Sequence, residues 1–152
     1  MVELDELDRK IVNELLTDSK RSYRELAKRL GVAITTVINR VQKLEDHGVL
    51  TGYTVQIDYE KLGYELTVLT EITVSKGKLM EMEKEIAKMP PVCAVYDVTG
   101  LTDAMIIAKF KNRKDLSDFT KRLLSMPFVE RSNTHVVLTT IKEDFRLKET
   151  LT

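Results

Sequence analysis

Residues 22–48, SYRELAKRLGVAITTVINRVQKLEDHG, read as two short helices joined by a tight turn. Ser22 followed by Glu25 has the form of a capping box, and Tyr23, Leu26, Ala27 and Leu30 recur at the spacing of one buried helix face. Gly31 ends that helix. Beyond it Ile34, Val37, Val41 and Leu44 resume helical spacing and leave Thr35, Thr36, Asn39, Arg40 and Lys43 on the opposite face. Arg can fork onto guanine, Asn can pair with adenine, and Thr is short enough to let a helix approach thymine methyls. The alternative is an ordinary solvated amphipathic helix. Local charge separates the two readings. From Ser19 to Leu44 the chain carries Lys20, Arg21, Arg24, Lys28, Arg29, Arg40 and Lys43 against the single acid Glu25, while the flanks on both sides are acidic. Basic charge confined to the helix pair is the footprint expected where an element faces phosphates.

Working outward, Leu7, Ile11, Val12, Leu15 and Leu16 form an apolar stripe on a first helix predicted over 4–16, which gives a three-helix N-terminal core. Gly48 suits a helix C-cap. Val49–Ile57 then reads as strand-rich, a small wing, followed by a connector that turns at Gly63.

From Leu66 the periodicity changes. Leu66, Val68, Ile72 and Val74 alternate; Leu79, Met82, Ile86 and Met89 keep helical spacing; Val92, Ala94, Tyr96 and Val98 alternate again. The same order recurs in 104–110, 116–126 and 134–140. Leu79, Met82, Ile86, Met89, Pro90 and Val92 each lie 37 positions before Leu116, Phe119, Leu123, Met126, Pro127 and Val129. A duplicated β-α-β unit predicts a ferredoxin-like βαββαβ sandwich with both helices on one face of an antiparallel sheet. The fold class expected is therefore α+β, a winged helix-turn-helix followed by that sandwich, divided as 1–51, a strand linker 52–64, and 65–152. Val95, Met105, Ile107 and Val137 are expected on the sheet's other face, which is too apolar to stay wet; a second subunit, or the N-terminal domain folded back, would cover it.

Composition narrows the function classes. Twenty-four basic and 24 acidic residues leave no net charge, so attraction to nucleic acid has to come from local segregation. The single cysteine, Cys93, rules out a disulfide within the chain and is expected to be a buried small hydrophobe. No apolar run approaches the roughly 18 residues of a membrane span, and MVELDELDRK has no signal-peptide pattern, so a cytoplasmic protein is expected. No catalytic residues, metal ligands or cofactor motif emerge. His47 suits a helix C-terminus, and His135 has no second ligand at metal spacing. Glu81, Glu83 and Glu85 are expected on a solvated helix face. An acyl-phosphate hydrolase built on the same sandwich would need a cationic loop, and Ser75-Lys76-Gly77 offers one Lys.

The opening LDELDRKIVNELLTDS, the block RSYRELAKRLGVAITTVINRVQKLEDHGVLTGY, the VTGLTDAMI hairpin and SNTHVVL together resemble the Lrp/AsnC family of leucine-responsive and asparagine-synthetase regulators over nearly the whole chain. The resemblance implies a prokaryotic transcription factor that binds pseudo-palindromic double-stranded DNA, forms a homodimer and often a tetramer or octamer, and senses an amino acid. It places Thr35, Thr36, Asn39 and Arg40 on the base-reading helix, with Arg21, Tyr23, Arg24, Lys28 and Lys43 contacting phosphates. It also places an effector site at Gly100, Thr102 and Asp103, with Thr134 lining the same pocket. The turn departs from the family's Gly-Asp-Tyr-Asp by carrying Leu101 and Thr102, and a plain hairpin turn capped by Asp103 is the competing reading. A small-molecule sensor acting through protein partners, with little DNA affinity, is the alternative function.

Overall fold

In the computed structural model, which describes residues 3–75 and 77–147, the chain divides into two compact units: residues up to Gln56 together with those from Lys142 on, and Ile57–Ile141. The first unit holds α1 (Glu6–Thr17), α2 (Tyr23–Leu30) and α3 (Ile34–Asp46). Both leading helices start in reciprocal capping boxes, Asp5 with Asp8 and Ser22 with Glu25. The Ser22 Oγ accepts from the Glu25 N–H at 3.3 Å, and the Glu25 carboxylate accepts from the Ser22 N–H at 2.8 Å. These bonds satisfy amide donors that a helix start otherwise leaves orphaned. Gly31 and Gly48 end α2 and α3 at φ 68° and 67°, a region that costs a residue with a Cβ. Ile11, Leu15, Leu26, Ala27, Val37, Val41 and Leu44 form the core between the three helices. Tyr23 and Ile34, assigned to that core by their spacing, are instead 41% and 40% exposed, because each stands at the first position of its helix, beyond the reach of the core.

The expected wing does not form among the described residues. Residues 51–58 take no helix, strand or turn, and Tyr53, Val55 and Ile57 stay exposed. An extended segment with no neighbouring strand has nothing to build a ladder with. The Tyr53 hydroxyl donates to Glu45 at 2.9 Å, anchoring the segment to the end of α3; burial, then that carboxylate, push its pKa up to about 12. Residues 142–147 group with this unit rather than with the sandwich. With its amide oxygen turned toward Arg146, Gln56 accepts from Nε and Nη2 at 3.2 Å each.

The second unit is the sandwich. β1 (Leu66–Val74), α4 (Leu79–Ala87), β2 (Val92–Asp97), β3 (Ala104–Phe110), α5 (Arg113–Leu124) and β4 (Val129–Val136) form an antiparallel sheet in the order β2-β3-β1-β4. The repeat is visible in its backbone. After α4, Met89 donates to Ile86 and Val92 to Met89; after α5, Met126 donates to Leu123 and Val129 to Met126. Ile72, Ile86, Ile106 and Leu123 are fully buried between sheet and helices, and the Phe110 and Phe119 rings lie 5.1 Å apart.

Strand β2 corrects two expectations. A register shift between Val92 and Ala94 reverses which residues face the helices, since a one-residue slip exchanges the two faces of a strand. Val95 therefore pairs with Ile106 and packs into the helix-side core, while Ala94 and Tyr96 join Ile107 and Met105 on the other face. Cys93, at the irregularity, is exposed rather than buried. Glu83 also departs from expectation. Its Oε1 is buried without a hydrogen-bond partner, and burial, reinforced by the charge of Asp97, raises its pKa.

Candidate nucleic-acid interface

Helix α3 buries Val37, Val41 and Leu44 and turns Thr35, Ile38, Asn39, Gln42 and Lys43 outward. Thr36 is half-buried. Gln42 is steadied by its Nε2 donating to Asp46 at 2.9 Å. Of the residues expected to read bases, Thr35 and Asn39 are free to do so.

Arg40 has another role. Its Nη1 lies 2.5 Å from Asp5 Oδ2 and 3.1 Å from Asp8 Oδ1, and the Asp8 side chain is fully buried. Arg40 thus faces α1 and compensates a buried carboxylate in the free chain. Lys43 stands 3.8 Å from the same carboxylate but keeps its side chain 44% exposed at the rim. The guanidinium pins α3 to α1 across the core that both helices share.

Arg21, expected on phosphate, is likewise turned inward. It pairs with the Glu14 carboxylate and donates to the Glu14 carbonyl at 3.1 Å. Arg29 approaches the same carboxylate at 2.7 Å. The Arg29 hydrogen bond, with the Arg21 charge, holds the Glu14 pKa below its ordinary value against the opposing effect of burial. Tyr23, Arg24 and Lys28 remain exposed on α2, and neither Arg24 nor Lys28 forms an ion pair among the described residues. Of the cations expected on phosphate, Arg24, Lys28 and Lys43 keep exposed side chains. Ile38 and Gln42 also face outward, though the sequence reading left them off this face; helical spacing places Ile38 three residues after Thr35 and Gln42 three after Asn39.

At the β2–β3 hairpin Gly100 takes φ 135° and Leu101 stands in solvent. The Asp103 carboxylate accepts from the Val74 N–H at 2.7 Å, its own N–H donates to Ile72 at 2.9 Å, and its carbonyl accepts from Val98 at 3.0 Å. Asp103 is thereby committed to tying the hairpin to the end of β1. Thr134 does not join this group. It faces the helix side, 3.0 Å from the Thr70 hydroxyl across β1 and β4. Lys76 of the alternative cationic loop lies outside the described residues. Among them, no group of three or more His, Cys, Asp or Glu is placed to hold a metal, and no helix is long and apolar enough to cross a membrane.

Two helices joined by a tight turn at Gly31, the second presenting a polar face, on a chain that continues into a βαββαβ sandwich, define the helix-turn-helix class of DNA-binding protein. The AsnC-type helix-turn-helix domain matches residues 4–45, and the Lrp/AsnC ligand binding domain matches residues 67–147. The chain belongs to the Lrp/AsnC family of transcriptional regulators. It is 52% identical to an HTH-type transcriptional regulator of Pyrococcus furiosus, over 97% of this chain and 99% of that one. It is 38% identical to the HTH-type transcriptional regulator FL11 of Pyrococcus horikoshii, over 96% and 97% of the two chains. Among solved structures, a transcriptional regulator of Neisseria meningitidis in complex with L-methionine superposes with a TM-score of 0.87 at 26% identity, covering 95% of this chain and 96% of that one.

Proposed function

We propose that this regulator binds pseudo-palindromic promoter DNA as a dimer or higher oligomer. Thr35, Thr36 and Asn39 enter the major groove, and Tyr23, Arg24, Lys28 and Lys43 meet the phosphates. The observation that carries this reading is the outward face of α3, flanked by the exposed cations Arg24 and Lys28 on α2. Phosphate contacts set affinity and base contacts set sequence choice. The two sets therefore separate experimentally. Titration of labelled duplex at several salt concentrations should give a steep negative slope, reduced by about one per lost contact in Arg24→Ala. A salt-independent affinity would remove the proposal.

Self-association is assigned to the sheet face that carries Leu69, Met105, Ile107, Ala94 and Tyr96, half-buried or exposed apolar groups in the single chain. Two-fold pairing through that face would present two reading helices and so require a two-fold symmetric site. Its working compartment is the cytoplasm, where promoter DNA is found.

The sandwich is read as an effector domain for an amino acid or a related small molecule, with the backbone around Gly100 and the Thr102 hydroxyl offering polar groups at the hairpin. Support comes from the ligand-binding domain matched over 67–147 and from the L-methionine complex of the Neisseria protein. An effector changes DNA occupancy only as far as it prefers one assembly state over another. The alternative sensor acting through protein partners is not favoured, because the relatives that match along nearly the full chain are HTH-type transcriptional regulators.

A further inference from the structure

The outward face of α3 carries a large apolar side chain that neither the core nor the ion pairs account for. Ile38 is 43% exposed, although Val37 and Val41 beside it are fully buried. It stands four residues after Ile34, three after Thr35 and four before Gln42. Neighbours at those spacings share a helix face, so Ile38 lies in the strip that contains the polar reading residues. The same structure removes Arg40 from that strip by turning it onto Asp5 and Asp8.

In a major groove an aliphatic side chain finds one apolar partner on the base edges, the C5 methyl of thymine. Ile38 is part-exposed in the single chain, and contact with that methyl would bury both. We infer that Ile38 is a specificity-determining residue that reads a thymine methyl in each half-site. The inference rests on the DNA-binding reading above. Burying one methyl-sized group is worth about fourfold in affinity.

The test uses the full chain and the duplex that it enriches from a random library. Each thymine of a half-site is replaced singly by deoxyuridine, which deletes the methyl and keeps the pairing, and affinities are compared for the parent, Ile38→Ala and Ile38→Val. The parent should lose about fourfold at one thymine per half-site. Ile38→Ala should bind the unmodified duplex correspondingly less tightly and show no further loss at that thymine, while Ile38→Val should keep the parent's sensitivity. A parent indifferent to every replacement overturns the Ile38 assignment and leaves sequence-specific binding standing. An Ile38→Ala variant that keeps the loss at the same thymine does the same. A parent that enriches no sequence overturns both readings.

Discussion

Arg40 Nη1 sits 3.1 Å from Asp8 Oδ1, so the most obvious base-reading arginine of α3 is the counterion of a carboxylate with no solvent exposure. Removing one partner of such a pair leaves an uncompensated buried charge. Arg40→Ala should destabilise the helical unit by about 3 kcal/mol, the low end for a buried pair because Lys43 stays nearby. Denaturant unfolding checks this, and unchanged stability would free Arg40 for the groove. Loss of DNA binding in Arg40→Ala alone would report misplacement of α3 as much as a lost base contact.

The Glu14 carboxylate, held by Arg29 and Arg21, has its pKa below the ordinary 4.5. A carboxylate depressed in the native state binds fewer protons there than in the unfolded chain. Its stabilisation is complete above pH 4.5 and is lost as pH falls from there through the native value. Glu14→Gln should therefore lower the unfolding midpoint at neutral pH, and the difference from the parent should close in acid. A gap that widens in acid would contradict the ion pair.

Glu83 predicts the opposite sign. Burial and Asp97 raise its pKa above the ordinary 4.5, so the folded state favours the protonated form. Its contribution is most favourable below pH 4.5 and is lost as pH rises through the native value. Glu83→Gln, which removes the charge that burial and Asp97 disfavour, should stabilise the sandwich at neutral pH. That advantage should disappear in acid.

Ile107, paired with Leu69 and Ala94 on the open sheet face, tests the proposed self-association. Ile107→Glu places a charge that burial against a second copy would strand. Sedimentation should show a shift toward monomer with the secondary structure retained. An unchanged oligomer would place the interface elsewhere. Leu123→Ala, on the helix side, should instead destabilise the sandwich by about 2–5 kcal/mol.

What was legible in the sequence was whatever local spacing determines. Ser22 with Glu25, Gly31 and the 37-residue repeat each act within a few residues or copy a unit that does, and the structure shows the capping box and the paired turns after α4 and α5. What escaped depends on contacts between distant residues. The partners of Arg40 lie 35 and 32 positions away, so nothing near it in the chain marks it as taken. The irregularity between Val92 and Ala94 moved Val95 to the core and Cys93 to the surface, because alternation carries no sign of an inserted residue. Residues 51–58 have the pattern of a strand but no strand beside them within the chain.

The central claim, that α3 reads DNA sequence through its outward face, is tested most directly by selection from a random duplex library at a stated salt concentration, with the parent beside Asn39→Ala. Asn39 is exposed and carries no core contact, so the variant should fold. The parent should enrich a two-fold symmetric motif, and Asn39→Ala should relax one symmetric pair of positions while keeping the rest. Enrichment of no motif, or of the same motif by both proteins, would contradict the account.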